Sequence, residues 1–167
     1  MKAIVYASKA GHTAHYAQLL SQRTGLPALS LEEAKKTLHH GEEIFFMGWV
    51  FAATLKGWDV AKHYTVRGIA ACGMNDPNGT DVAELRKWCG VTDDVKLFYL
   101  RGGLEIKKLH GVNRIIMQYL RKTMTDQISA KATQTSEEQF MLRMLEEGVD
   151  CVREENLSEI YAWFEQA

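Results

Sequence analysis

A chain of 167 residues, 46% apolar and 25% charged with a formal charge of −1, is long enough for one domain with its own core, needing neither disulfides nor metal. The near-neutral balance gives no bulk electrostatic case for nucleic acid or an anionic membrane. No apolar run reaches the roughly 20 residues that span a bilayer, and the amino terminus lacks a charged-then-apolar leader pattern. Cys72, Cys89 and Cys151 are odd in number and form no C-x-x-C pair, which suits a reducing, cytoplasmic setting. His39 and His40 are adjacent, a spacing that cannot present both rings from one helical face, and no metal site is expected.

Residues 2–7 read as a strand whose almost unbroken apolar character implies burial on both faces. A helix is expected from about His12 to Thr24, ended by Gly25 with Pro27 blocking continuation. Residues 26–31 suit a short second strand. Residues 42–47, "EEIFFM", make a third strand closed by Gly48, followed by a loop and a short helix over 57–64. Residues 66–72 form a fourth strand, and "NDPNG" at 75–79 is a turn by composition. Asp81 with Glu84 resembles a capping box and starts a helix through Trp88. Residues 95–100, "VKLFYL", form a fifth strand. Val112, Ile115, Ile116, Tyr119, Leu120 and Met124 then recur at helical spacing. Two closing helices are expected, with capping boxes or near relatives at Ser136–Gln139 and Asn156–Glu159. Leu157, Ile160, Tyr161 and Phe164 share one face of the last helix.

Strand alternating with helix five times indicates a single α/β domain over 1–167, an open, mostly parallel sheet with helices on both faces. Such sheets bind ligands beyond the carboxyl ends of their strands, near the point where strand order reverses. The loops after Ala7, Met47, Cys72 and Leu100 are therefore the ones that matter.

In the first of these loops, Ser8 and Thr13 supply hydroxyls while Ala10 and Gly11 keep side chains out of the way. The amino end of the following helix adds backbone N–H groups and the positive end of its dipole. Together these suit an anion such as a phosphate. The spacing fits neither the Walker loop nor the G-x-G-x-x-G fingerprint, and no cysteine stands where a phosphatase loop needs one. "IVYASKAGHTAHYA", residues 4–17, resembles the flavodoxin phosphate loop: Ile4, Val5 and Tyr6, then Ser8, Gly11, Thr13 and Ala17. That resemblance implies a five-stranded sheet in the order 2-1-3-4-5, with the helices after the fifth strand as additions to it. It also implies a bound flavin mononucleotide (FMN), its phosphate held by Ser8, Lys9, Ala10, Gly11, His12 and Thr13.

The same resemblance puts the flavin ring between the loops after the third and fourth strands. Trp49, Val50, Phe51 and Ala52 come from the first, Gly73, Met74 and Asn75 from the second. Trp49 and Phe51 are stacking candidates or core residues alike, whereas Trp58 reads as core. Ala52 stands where the family often has an aromatic, and Thr54 where a glycine is common. Cys72, without a cationic neighbour, reads as an inert buried thiol.

The stretch "FYLRGGLEIKKL", residues 98–109, with the helix after it, resembles the branch of flavodoxin-type protoporphyrinogen oxidases. It makes Arg101 a candidate ligand for a substrate carboxylate, or else a surface arginine at a strand end. The implied function is electron transfer through bound FMN, with a redox protein, small molecule or quinone as acceptor. A porphyrinogen or quinone oxidoreductase, and a flavin-free binding module on the same fold, are the alternatives. Arg114, Arg121 and Lys122 form a basic helix face, either solvated or in peripheral contact with a lipid surface.

Overall fold

The computed structural model describes residues 1–105 and 111–166, except for the side chains of 112 and 113. The chain divides into two compact units, one of Met1–Gly102 with Val152–Ala167 and one of Gly103–Cys151.

The first unit is an open α/β sheet. Its strands are β1 (Ala3–Tyr6), β2 (Ala28–Ser30), β3 (Glu43–Phe51), β4 (Thr54–Lys56), β5 (Thr65–Gly73) and β6 (Lys96–Arg101). They form one six-stranded sheet ordered β2-β1-β3-β5-β6, with β4 attached to β3. Every pairing on the main path is parallel, and only β3–β4 is antiparallel. Leaving β4 aside, the order is the expected 2-1-3-4-5.

Alternation along the strands sorts the core into two layers, as the period of two requires. Ala3, Val5, Ile44, Phe46, Ile69, Ala71 and Leu97 face one side, where they meet Ala34, Ala61, Leu85 and Cys89. Those four come from α2 (Leu31–Thr37), α3 (Trp58–Ala61) and α4 (Val82–Cys89). Ile4, Phe45, Met47, Ala70, Cys72, Phe98 and Leu100 face the other side. There they pack on Tyr16, Ala17 and Leu20 of α1 (His12–Thr24) and on Ile160 of α7 (Ser158–Phe164), with Leu157 just before it. Phe45 and Phe46 are fully buried on opposite faces, each stabilising the fold by roughly 1.5–3 kcal/mol.

Several elements match their sequence signals. Gly25 caps α1 at φ 73°, its N–H donating to the Ser21 carbonyl. The Asp81 carboxylate accepts from the N–H groups of Ala83 and Glu84 at the start of α4. Leu157, Ile160, Tyr161 and Phe164 lie together against the sheet.

Other elements depart from expectation. Gly48 does not close the third strand, because β3 runs on to Phe51 and folds back as β4 through Ala52 and Ala53. The helix α2 carries a full Ser30–Glu33 capping box, an S-x-x-E signal that lay in the sequence. Asn156 does not cap the last helix, since a 3-10 turn over Glu154–Leu157 intervenes and its amide donates to the Tyr16 hydroxyl at 2.6 Å.

The second unit contains α5 (Gly111–Ser129) and α6 (Ser136–Glu147), which pack together, and a two-stranded ribbon of β7 (Gly103–Leu104) and β8 (Val149–Asp150). The cap of α6 is Thr135 rather than Ser136, and its box partner is Glu138 rather than Gln139. Of the expected stripe on α5, Ile115, Ile116, Tyr119 and Leu120 are exposed and Met124 is half-buried, while the side chain of Val112 lies outside the described residues; Met117 and Ile128 are buried instead.

Candidate functional site

The sheet order reverses between β1 and β3, because the chain leaves β1 to build β2 on one side and then returns to build β3 on the other. The space beyond the carboxyl ends of those two strands is the crevice where open α/β sheets bind ligands. Backbone bonds knit that end together. The Ala7 N–H donates to the Met47 carbonyl at 2.9 Å, and the Gly102 N–H to the Gly73 carbonyl at 2.9 Å. A Cβ at Gly102 would stand 3.4 Å from that of His12. The ends of β1, β3, β5 and β6 therefore converge on the amino end of α1.

Gly11 is the N-cap of α1 at φ 110°, a backbone setting that side-chain-bearing residues rarely adopt. Gly11 has no side chain of its own with which to cap the first turn. Helix starts that lack a side-chain acceptor remain competent to bind an anion through backbone donors. Ser8 is exposed and accepts from the Gly11 N–H at 3.2 Å, folding the loop back toward the helix while its own O–H stays available for donation. Lys9 is also exposed, and Ala10 and His12 are half-buried. Thr13 is 2% exposed, with its hydroxyl beside the Cys72 thiol. It thus sets α1 against the carboxyl end of β5.

On the neighbouring strand, Trp49 and Phe51 are half-buried with ring centroids 5.7 Å apart. They share a face by strand alternation, while Val50 turns to the opposite core layer. Ala52 is exposed at the hairpin tip, and with Ala53 it holds positive φ of 48° and 57°. Trp58 packs on Phe46, ring centroids 6.2 Å apart, as a core residue.

Gly73, the last residue of β5, is buried; beyond it Met74 is half-buried and Asn75 exposed. The Tyr99 hydroxyl accepts from the Asn75 N–H at 3.0 Å, and a Cβ at Gly73 would fall on that same hydroxyl. Glycine is required there for close approach rather than for an unusual φ. Burial pushes the Tyr99 phenol up, so it stays protonated. Burial also raises the Cys72 thiol to about 12, against a smaller opposing effect of Thr13; the thiol is neutral and a poor nucleophile.

Arg101 ends β6 opposite Gly73. Its carbonyl accepts from the Tyr16 hydroxyl at 2.8 Å. Arg101 helps line a groove of about 430 Å³ along β6 with Asn78, Tyr99, Glu155 and Asn156. The sequence reading missed Tyr99 and Tyr16. Tyr99 stands inside an apolar run and Tyr16 on the buried face of α1, where a tyrosine reads as one more core aromatic, and only three-dimensional proximity shows what each hydroxyl holds.

No protein-family model and no curated protein matches the chain. Among the described residues, no group of three or more His, Cys, Asp or Glu could hold a metal ion, and no helix is long and apolar enough to cross a membrane.

Proposed function

We propose that the chain binds FMN in the manner of a flavodoxin and transfers electrons through it. The observation that carries this reading is the Gly11-capped start of α1, whose cap residue at φ 110° brings no side chain of its own, at the strand-order reversal between β1 and β3. An anion with several oxygens matches such a start. Ser8, Lys9, Ala10, Gly11, His12 and Thr13 would hold the phosphate, mainly through backbone N–H groups and hydroxyl donors. The helix dipole would favour the charge by about 0.3–1 kcal/mol.

Trp49 and Phe51 would shield one side of a planar ring from water, and Gly73, Met74 and Asn75 would line its edge. The flavin, when bound, supplies the capacity to take up and release electrons. The protein's part is to orient it, to exclude water and to set the local dielectric.

A second reading, an oxidoreductase acting on a porphyrinogen or a quinol, is favoured by the compact unit of Gly103–Cys151, which a simple electron carrier has no need of. Titration of the purified chain with FMN, followed by flavin fluorescence, tests the proposal. Saturable quenching at one flavin per chain is expected, and a chain that leaves the fluorescence of added FMN unchanged overturns it. Oxidation of protoporphyrinogen by the flavin-loaded chain with a quinone as acceptor then separates the two readings.

A further inference from the structure

Lys56 stands where β1 stops. Trp49 pairs with Cys72 of β5 on one edge of β3 and with Lys56 of β4 on the other. That second edge is the one β1 occupies further back, opposite residues 44–47. The strand β4 therefore continues the column that β1 leaves, and a Cβ at Gly57 would fall 2.6 Å from that of Ala7.

Directly opposed residues of a ladder share a face. Val50 and Leu55 lie in the layer of α2, α3 and α4, so Trp49 and Lys56 belong to the other side. That is the side of α1, toward which the chain turns after Ala7 through the loop over residues 8–11. Lys56 is half-buried, and its ammonium stands 5.9 Å from the centroid of the Phe51 ring. Among the described residues it has no carboxylate partner, whereas Lys35 and Lys62 pair with Glu32 and Asp59 three positions away.

The surrounding sequence does not neutralise it. Residues 6–24, 44–58, 68–75 and 95–102 carry the strand ends and loops of the crevice and hold not one Asp or Glu, although the whole chain has a formal charge of −1. Lys9, Lys56 and Arg101 are the cations at the crevice end of these segments. Lys9 is exposed, where solvent screens it; the half-buried Lys56 is screened less.

We infer that Lys56 supplies the crevice with an ammonium for the ligand's phosphate and makes the site select a phosphomonoester over the same molecule without one. The inference rests on the FMN reading. A phosphomonoester carries about two negative charges near neutral pH, and the start of a helix offers only about half an elementary charge against them. Backbone donors thus orient the phosphate and leave most of its charge uncompensated. The four-carbon stem of Lys56 is long and flexible enough to swing from the Phe51 ring toward the loop, and contact with that ring keeps the ammonium on the crevice side until a ligand arrives.

Fluorescence titration of the full chain with FMN and with riboflavin, which lacks the phosphate, tests it. K56Q should lower FMN affinity about tenfold while riboflavin affinity and the melting curve stay as in the wild type. K56R, which keeps the charge, should restore FMN binding. The loss of FMN affinity with added salt should be shallower in K56Q, because one fewer cation faces the phosphate. FMN binding by K56Q with wild-type affinity and salt dependence overturns the inference and leaves the flavin reading standing. An equal loss of FMN and riboflavin also overturns it, since Lys56 would then act on the ring or on the fold. A wild-type chain that quenches neither flavin overturns the flavin reading itself, and the role of Lys56 with it.

Discussion

The hydroxyl of Tyr99 accepts a hydrogen bond from the Asn75 N–H at 3.0 Å, pinning the loop after β5 to the edge strand β6. Tyr99→Phe removes the acceptor and keeps the ring. The expected cost is about 0.5–1.5 kcal/mol in urea denaturation, together with weaker FMN binding as the Asn75 loop loses its anchor. Gly73→Ala should cost more, because its methyl group displaces the ring itself. Full flavin affinity in both variants would show that this loop does not meet the ring.

The β3–β4 hairpin turns through Ala52 and Ala53, both at positive φ. Two-residue turns of this kind favour Asn-Gly, and alanine is strained there by roughly 1–2 kcal/mol per residue. Ala52→Asn with Ala53→Gly should therefore raise stability by about 1 kcal/mol once the added entropy cost of glycine is counted. A thermal melt checks this. A lower melting temperature would mean that the alanines make contacts outweighing their backbone strain.

That hairpin also shows why the sequence was legible in some places and opaque in others. The two-layer sheet could be read because Ile44, Phe45, Phe46 and Met47 are apolar without interruption, and because Gly25 and Asp81 stand where helix ends need them. The continuation of β3 could not, because Ala-Ala carries no turn signal and Gly48 looks like a stop. The stripe on α5 misled for a different reason. Periodicity shows that a face is apolar but not what covers it, and here the interior takes Met117 and Ile128 instead. The first loop was legible as an anion site from Ser8, Gly11 and the helix start. The inward turn of Thr13 onto Cys72 depends on a partner 59 positions away, and no local pattern announces it.

Thr13 consequently does two things at once. Its hydroxyl contacts Cys72, and its backbone belongs to the first turn of α1. Thr13→Ala should weaken FMN binding by about 1–3 kcal/mol if the hydroxyl turns to the phosphate on binding, and Thr13→Ser should restore it. Fluorescence titration of both variants decides the matter. Unchanged affinity in Thr13→Ala would confine the hydroxyl to its structural contact with Cys72.

The Tyr16 hydroxyl donates to the Arg101 carbonyl at 2.8 Å and accepts from the Asn156 amide at 2.6 Å. One fully buried side chain thus joins α1, the end of β6 and the returning carboxyl-terminal segment. Tyr16→Phe deprives the Arg101 carbonyl and the Asn156 amide of this shared partner. A loss of about 1–3 kcal/mol is expected, with amide exchange accelerating first around residues 152–157. Uniform acceleration through the sheet would show that the hydroxyl supports global stability and is no local latch.

Cys72 makes stability depend on alkaline pH. Its thiol is raised from an ordinary 9.0 to about 12 by burial, so between those values the folded chain keeps a proton that the unfolded chain has lost. Stability from this group is complete below pH 9 and declines as pH rises toward 12, by about 1.4 kcal/mol per pH unit for one proton. Burial raises Cys89, Tyr99 and Tyr161 in the same direction, so the wild-type slope is a sum. Cys72→Ala should make that slope shallower by about one proton in denaturation curves recorded across the range. It should leave the curves below pH 8 parallel to wild type, offset only by the packing lost with the sulfur. A slope identical to wild type would mean that Cys72 reaches solvent before the fold opens.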